Sequence, residues 1–412
     1  MDTTAPSPRW NIACYYSYAF LMYGGLWVGI WIKYLIDERG LELRWILAMD
    51  LPFWLLVAAL QAPMGALADH IGRKRVLALA GGVYALTILG FGFTTNYWML
   101  FADYLLWAWA LAMQSGADQA LVYDTMRLAG EEGAFQKVVG RGFAAQLVAG
   151  VTGLILGGIV GEATSLAFTV QVSALFPLAA VAVAIAMREP PQVQQAERHY
   201  LGALRAGFRF AWDVRQVRYT LLIGSVLLTA TFGPVVLVQP FLIHHDVGTA
   251  LFGVYQAPLR IIAVLASLAA FAVSARLGTG RLLVAACAVI LASYLLLAAV
   301  DAQAAFLFFA FPALVQGLTT PAISGHLNPR IPGELRATVL SVMQLCFSLQ
   351  VAFFEPALGF FADLVSLTSA FVFCALNFAL VMPPLLFLWR RAHGELPSEG
   401  PTPAPQLEPG AV

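Results

Sequence analysis

Gly65-Ala66-Leu67-Ala68-Asp69-His70-Ile71-Gly72-Arg73-Lys74-Arg75 stands where one long apolar run stops and the next begins. Two glycines, an acid, a histidine and three consecutive cations interrupt an otherwise greasy sequence. A short basic loop of this kind between two membrane helices faces the cytoplasm. The rest of the composition agrees with a membrane chain, being 60% hydrophobic and 11% charged. Soluble domains carry about 25% charged residues. A formal net charge of zero gives no reason to expect nucleic acid as a partner.

A helix needs about 20 mostly apolar residues to cross the hydrocarbon core. Reading outward from the loop, apolar runs predict six spans in the first half, at 11–36, 44–67, 75–95, 98–122, 138–161 and 166–187. Six more follow at 219–243, 249–274, 282–300, 304–325, 337–361 and 368–389. The expected organisation is a first bundle over 1–187, a linker over 188–218, a second bundle over 219–390 and a disordered, Pro-rich tail over 391–412. Of the 23 Lys and Arg, 19 fall on the side of the basic loop, against Lys33, Arg39 and Arg44 on the other, with Arg260 inside a span. That bias predicts both termini on the cytoplasmic side. The first apolar run is too long for a cleaved leader. Twenty of the 23 cations are Arg, which points to a GC-rich prokaryote and hence to a bacterial inner membrane. In the linker, Leu201, Leu204, Phe208, Ala211 and Trp212 share one helical face, with Arg198, Arg205 and Arg209 elsewhere. Such a helix is expected to lie on the inner leaflet.

The order Gly-x-Leu-x-Asp-x-x-Gly-Arg-Lys resembles the loop between the second and third helices of major facilitator superfamily transporters. The resemblance covers about residues 10–390 and implies an all-α membrane protein of twelve transmembrane helices, in two six-helix pseudo-symmetric bundles. It implies that Gly65, Asp69, Gly72, Arg73 and Lys74 form a gating latch. Asp69 would dock near the start of the eleventh span, and Arg73 would pair with an acid on the fourth, either Asp118 or Asp124. An Asp near a helix N-terminus is also stabilised by the helix dipole. Gly333-Glu334-Leu335-Arg336-Ala337 resembles a helix start common in bacterial members, which puts Arg336 beside the latch. His70 departs from the family, which carries Arg or Lys there. A shift of 206 residues lays Gly72 on Gly278, Arg75 on Arg281 and Gly153 on Gly359, as two parallel halves would. Gly153-Leu154-Ile155-Leu156-Gly157-Gly158 is similar to the Gly-Pro-x-x-Gly-Gly signature of drug–proton antiporters, with Leu154 in place of proline. The same glycines also suit plain helix packing.

Charges inside spans are costly and mark functional candidates. Asp50, Asp103, Arg260 and Glu355 stand out. The third, sixth, ninth and twelfth spans hold none, and these are the four that the resemblance implies to be outer supports. Arg260, about 17 Å below the end of its helix, is the leading candidate for substrate or counter-ion binding; its structural alternative is an ion pair with Glu355. Asp50, Asp103 and Glu355 are expected to carry protons or cations, and Gln146 and Gln256 to line the pocket. Buried glutamines can equally join neighbouring helices. Cys14, Cys287, Cys346 and Cys374 are far apart and predict neither disulfide nor metal site. No phosphate-binding Gly-x-x-x-x-Gly-Lys-Ser/Thr loop is present, and no cofactor is expected. Together these features predict a non-enzymatic, monomeric secondary transporter, coupled to protons and exporting a lipophilic or amphipathic small molecule. Uptake of a nutrient such as a sugar or organic anion is the alternative, and a non-transporting membrane sensor is the rival from another class.

Overall fold

The computed structural model describes residues 8–191, 200–332 and 335–393. Every span forms a helix. The first half comprises α1 (Pro8–Asp37), α2 (Leu43–Ala48 and Asp50–Ile71), α3 (Arg73–Phe93), α4 (Tyr97–Gln114 and Ala117–Leu128), α5 (Phe135–Ala163) and α6 (Leu166–Ala186). The second half comprises α7 (Arg215–His244), α8 (Thr249–Leu277), α9 (Thr279–Ala299), α10 (Gln303–Arg330), α11 (Arg336–Leu364) and α12 (Leu367–His393). Eleven of these are apolar and long enough to cross a membrane. The remaining one, α4, is long enough but dilutes its apolar residues with Asp103, Gln114 and five Trp and Tyr residues.

A helix over Tyr200–Asp213 joins the halves. Its Gly207 faces the Thr338 side chain of α11, and Ala211 is buried, while the stacked Phe208 and Trp212 rings stay exposed. Arg198, the segment 333–334 and the tail after His393 lie outside the described residues.

The internal repeat is real at the turn positions. Gly72 ends α2 with φ 99° and ψ 138°, and Gly278 ends α8 with φ 73° and ψ 151°. A side chain would strain this left-handed backbone, so glycine is required twice for one geometry. The mates α1 and α7 are likewise both interrupted, at Gly24-Gly25 and at Gly233-Pro234. A broken helix exposes amides and carbonyls that lipid cannot satisfy. Here protein does so: Ser173 Oγ accepts from Trp27 N at 3.1 Å, and Gln239 Oε1 from Ile32 N at 3.0 Å and Lys33 N at 3.2 Å.

Candidate functional site

At the basic end, the Arg73 guanidinium forms a short ion pair with Asp124 and reaches Asp69 Oδ1 at 3.5 Å. Arg127 adds a longer contact to Asp124 at 3.9 Å. Of the two acids considered for Arg73, the partner is therefore Asp124. Asp118 lies elsewhere, buried in the first turn of the Ala117–Leu128 segment, where its Oδ1 accepts from Gln119 N at 2.7 Å. Tyr15, Tyr18 and Tyr23 of α1 are within its electrostatic reach.

The dipole argument for Asp69 needs correction. Asp69 sits in the last turn of α2, and its side chain is 72% exposed. The start of α3 is capped instead by Glu189, whose carboxylate accepts from Arg73 N and Lys74 N, both at 2.8 Å. Glu189 follows α6, and nothing in its sequence neighbourhood marks it. Among the described residues, the Asp69 side chain makes no hydrogen bond or ion pair with α11. Arg336 is exposed and donates to Asn328 O at 3.4 Å. Gly65 is exposed with open space where a side chain would stand.

The opposite end is the reverse: there the halves close backbone to backbone. Gly158 of α5 lies against Thr249 O of α8, and one turn on, Glu162 Oε2 accepts from Ala250 N at 2.7 Å. Gly359 of α11 lies against Leu43 O of α2, and one turn on, Asp363 Oδ2 accepts from Arg44 N at 2.6 Å. Each half thus caps the second helix of its mate with the same Gly-x-x-x-acid device. The true counterpart of Gly359 is Gly158 rather than Gly153, because α5 and α11 are offset by five residues from the 206 shift. Gln239 Nε2 donates to Val28 O at 3.2 Å and Gln256 Nε2 to Gly29 O at 2.8 Å, tying α7 and α8 to the break in α1. Leu154-to-Gly158 is therefore a packing surface, with Gly157 pressed against Leu26 O. The molecule is closed at this end and parted at the basic end.

Behind the closed end lies the one pairing of charged candidates that crosses the halves. Asp50 of α2 is 4% exposed and Glu355 of α11 is 1% exposed. Tyr104 Oη donates to Asp50 Oδ1 at 2.9 Å, and Trp54 Nε1 to Glu355 Oε2 at 3.2 Å. Asp50 Oδ2 and Glu355 Oε1 are sealed from solvent and receive no donor from any other group. The two carboxyls are within hydrogen-bonding reach of each other, and no Lys or Arg acts on either.

The other candidates disperse. Asp103 turns its carboxylate onto Gly90 of α3 within the first half, away from the interface, so it does not join the pair. Arg260 does not pair with Glu355: it is exposed and has no hydrogen-bond or ion-pair partner among the described residues. It lies one turn from Gln256 on the same face of α8, the face turned to α1, and so borders the space between the halves. Gln146 is half-buried on α5, one turn from Gly142, which touches Tyr15 of α1. A separate cavity of about 480 Å³ lies among α7, α9, α11 and α12. Aromatic side chains dominate it, including Phe353, Phe354, Phe373 and Phe378, with Thr229, Gln350 and Asn377 as its polar groups.

Two pseudo-symmetric six-helix bundles, closed at one end and open at the other around a buried cross-half site, define a multi-pass membrane transporter. The chain belongs to the Major Facilitator Superfamily, whose sequence model matches residues 12–354. Among solved structures, a variant of the nucleoside transporter NupG superposes with a TM-score of 0.72 at 14% identity, covering 94% of this chain and 100% of that one. A bacterial homologue of the human lysosomal transporter Spinster, inward-facing and unoccupied, gives 0.69 at 14% identity, with 94% and 95% covered. A D-xylose–proton symporter gives 0.69 at 12% identity, with 93% and 97% covered. Identities this low speak for the fold alone. No curated protein sequence matches the chain.

Proposed function

We propose that this protein is a proton-coupled transporter that exports an amphipathic small molecule, with its basic end in the cytoplasm. The observation that carries the coupling is the Asp50–Glu355 pair. Two unit charges about 4 Å apart repel by about 4 kcal/mol at an effective dielectric near 20. Two buried carboxylates with no cation beside them repel each other unless they share a proton. Because one carboxyl belongs to each half, closing the outer end brings them together and requires a proton. Opening that end separates them and removes the requirement. Proton uptake from outside is thereby linked to the closing of that end.

The second half also holds an apolar cavity with sparse polar groups, which suits a lipophilic body. Arg260, an unpaired cation bordering the inter-half space, supports the second reading: uptake of an organic anion. Everted vesicles separate the two. Under an imposed pH gradient, acid inside, accumulation of a lipophilic neutral or cationic dye supports export, and loss of a preloaded aromatic carboxylate supports uptake. In proteoliposomes, Asp50→Asn and Glu355→Gln should each keep downhill exchange while losing its acceleration by a pH gradient. Full gradient-driven accumulation in both variants would sink the coupling assignment.

A further inference from the structure

We propose that His244, His245 and Asp301 form a binding site for a divalent first-row transition cation of the zinc type, at the closed end of the second half. Their ligand atoms (one ring nitrogen from each histidine, one carboxylate oxygen) lie within 4.8 Å of one another. Asp301 Oδ1 is 3.2 Å from His244 Nε2 and 3.8 Å from His245 Nε2. A tetrahedral ion with bonds of about 2.0–2.1 Å holds its ligands about 3.4 Å apart. The observed separations therefore need shifts of only a few tenths of an ångström on the Asp301 legs.

The backbone fixes this convergence. α7 ends at His244 in a turn where Asp246 N donates to Ile243 O and Val247 N to Leu242 O, both at 3.0 Å. Asp246 takes the left-handed conformation that such a helix end requires, with φ 53°, where glycine is usual. The turn presents two successive histidines in different directions, and the Phe241 ring holds His245 at 4.4 Å between centroids. Asp301 arrives from the connection between α9 and α10. His245 Nε2 is shielded from solvent and makes no hydrogen bond, which leaves a ligating nitrogen aimed at the cluster without a partner. His244 and Asp301 are 53% and 77% exposed on their side chains, so an ion has an entry path and room for water as a fourth ligand.

The donor set selects the ion. Two imidazole nitrogens and one carboxylate suit Zn²⁺, Co²⁺ or Ni²⁺, whereas Ca²⁺ and Mg²⁺ require oxygen shells. An ion here would clamp the end of α7 to the α9–α10 connection. That end carries Gln239, which holds the break in α1, so occupancy would stiffen the closed gate.

Calorimetric titration of Zn²⁺ into the purified, chelator-washed protein in detergent at pH 7.5 tests this. One ion per chain is expected, with weaker binding in acid, because the ligands must shed their protons to hold the metal. His245→Ala and Asp301→Asn should each weaken binding at least tenfold, and Co²⁺ should give a visible absorption band that both variants lose. His326→Gln is the control, because His326 and His393 face each other at 2.9 Å at the basic end and form the other imidazole pair. Unchanged thermal stability of the variants without metal shows that they fold. Absence of binding, or binding abolished by His326→Gln and untouched by the other two, would overturn the site.

Discussion

Arg260 is the sharpest case at the scale of the residue. Its place on α8, one turn from Gln256, was legible because a lone charge in a long apolar run is conspicuous in any sequence. Its freedom from Glu355 was not, since a pairing across halves depends on how deep each helix sits. A guanidinium with no partner among the described residues offers a planar fork to a carboxylate. Arg260→Ala should therefore raise KM for anionic substrates at least tenfold and leave neutral ones within about twofold. Arg260→Lys should restore only part of the loss, because an ammonium lacks the bidentate fork. Uptake assays with a matched acid and its amide check both. Equal effects on the two compounds would make Arg260 a structural residue.

At the scale of the element, helices were readable from apolar runs, whereas the breaks in α1 and α7 were not. What joins the elements was harder still to read. Glu162 and Asp363 cap helices 88 and 319 residues away along the chain, and Glu189 reaches across 115 and 116. Nothing local distinguishes such an acid from one merely exposed at a helix end. The repeat did hold a trace of it, since both capping acids follow a glycine by four residues, but the five-residue slip between α5 and α11 hid the match. Losing a capping carboxylate costs about 1 kcal/mol, up to about 2. Both caps bridge the two halves at the end opposite the basic loop, so parting the halves there breaks them. Glu162→Ala or Asp363→Ala should therefore shift the balance toward the outward-open form by roughly fivefold to tenfold each, and the double variant by their product. Double electron–electron resonance between spin labels on the α1–α2 and α7–α8 loops reads the populations. A single variant as strong as the double would show that the two caps do not act independently.

The whole molecule joins these scales in one motion. With the end opposite the basic loop shut, Gly65 is bare and Asp69 pairs with Arg73 of its own loop, and among the described residues it makes no hydrogen bond or ion pair to α11. The family resemblance placed Asp69 against α11, and the positive-inside bias placed that end in the cytoplasm. Both expectations concern a loop that one conformation exposes, so accessibility tests them together. In a chain whose four cysteines are replaced, Gly65→Cys should react rapidly with a membrane-impermeant maleimide in everted vesicles and hardly at all in right-side-out cells. Adding Glu162→Ala and Asp363→Ala should slow that reaction by at least tenfold, because loosening the outer caps lets the inner ends meet and bury the loop. Restoring Asp69→Asn in that background should recover much of the labelling rate, since the neutral side chain forfeits the contact that holds the inner end shut. Labelling from the outer face would reverse the orientation. A rate indifferent to the caps would mean that the two ends open and close independently, and alternating access through a rigid swing of the halves would fail for this protein.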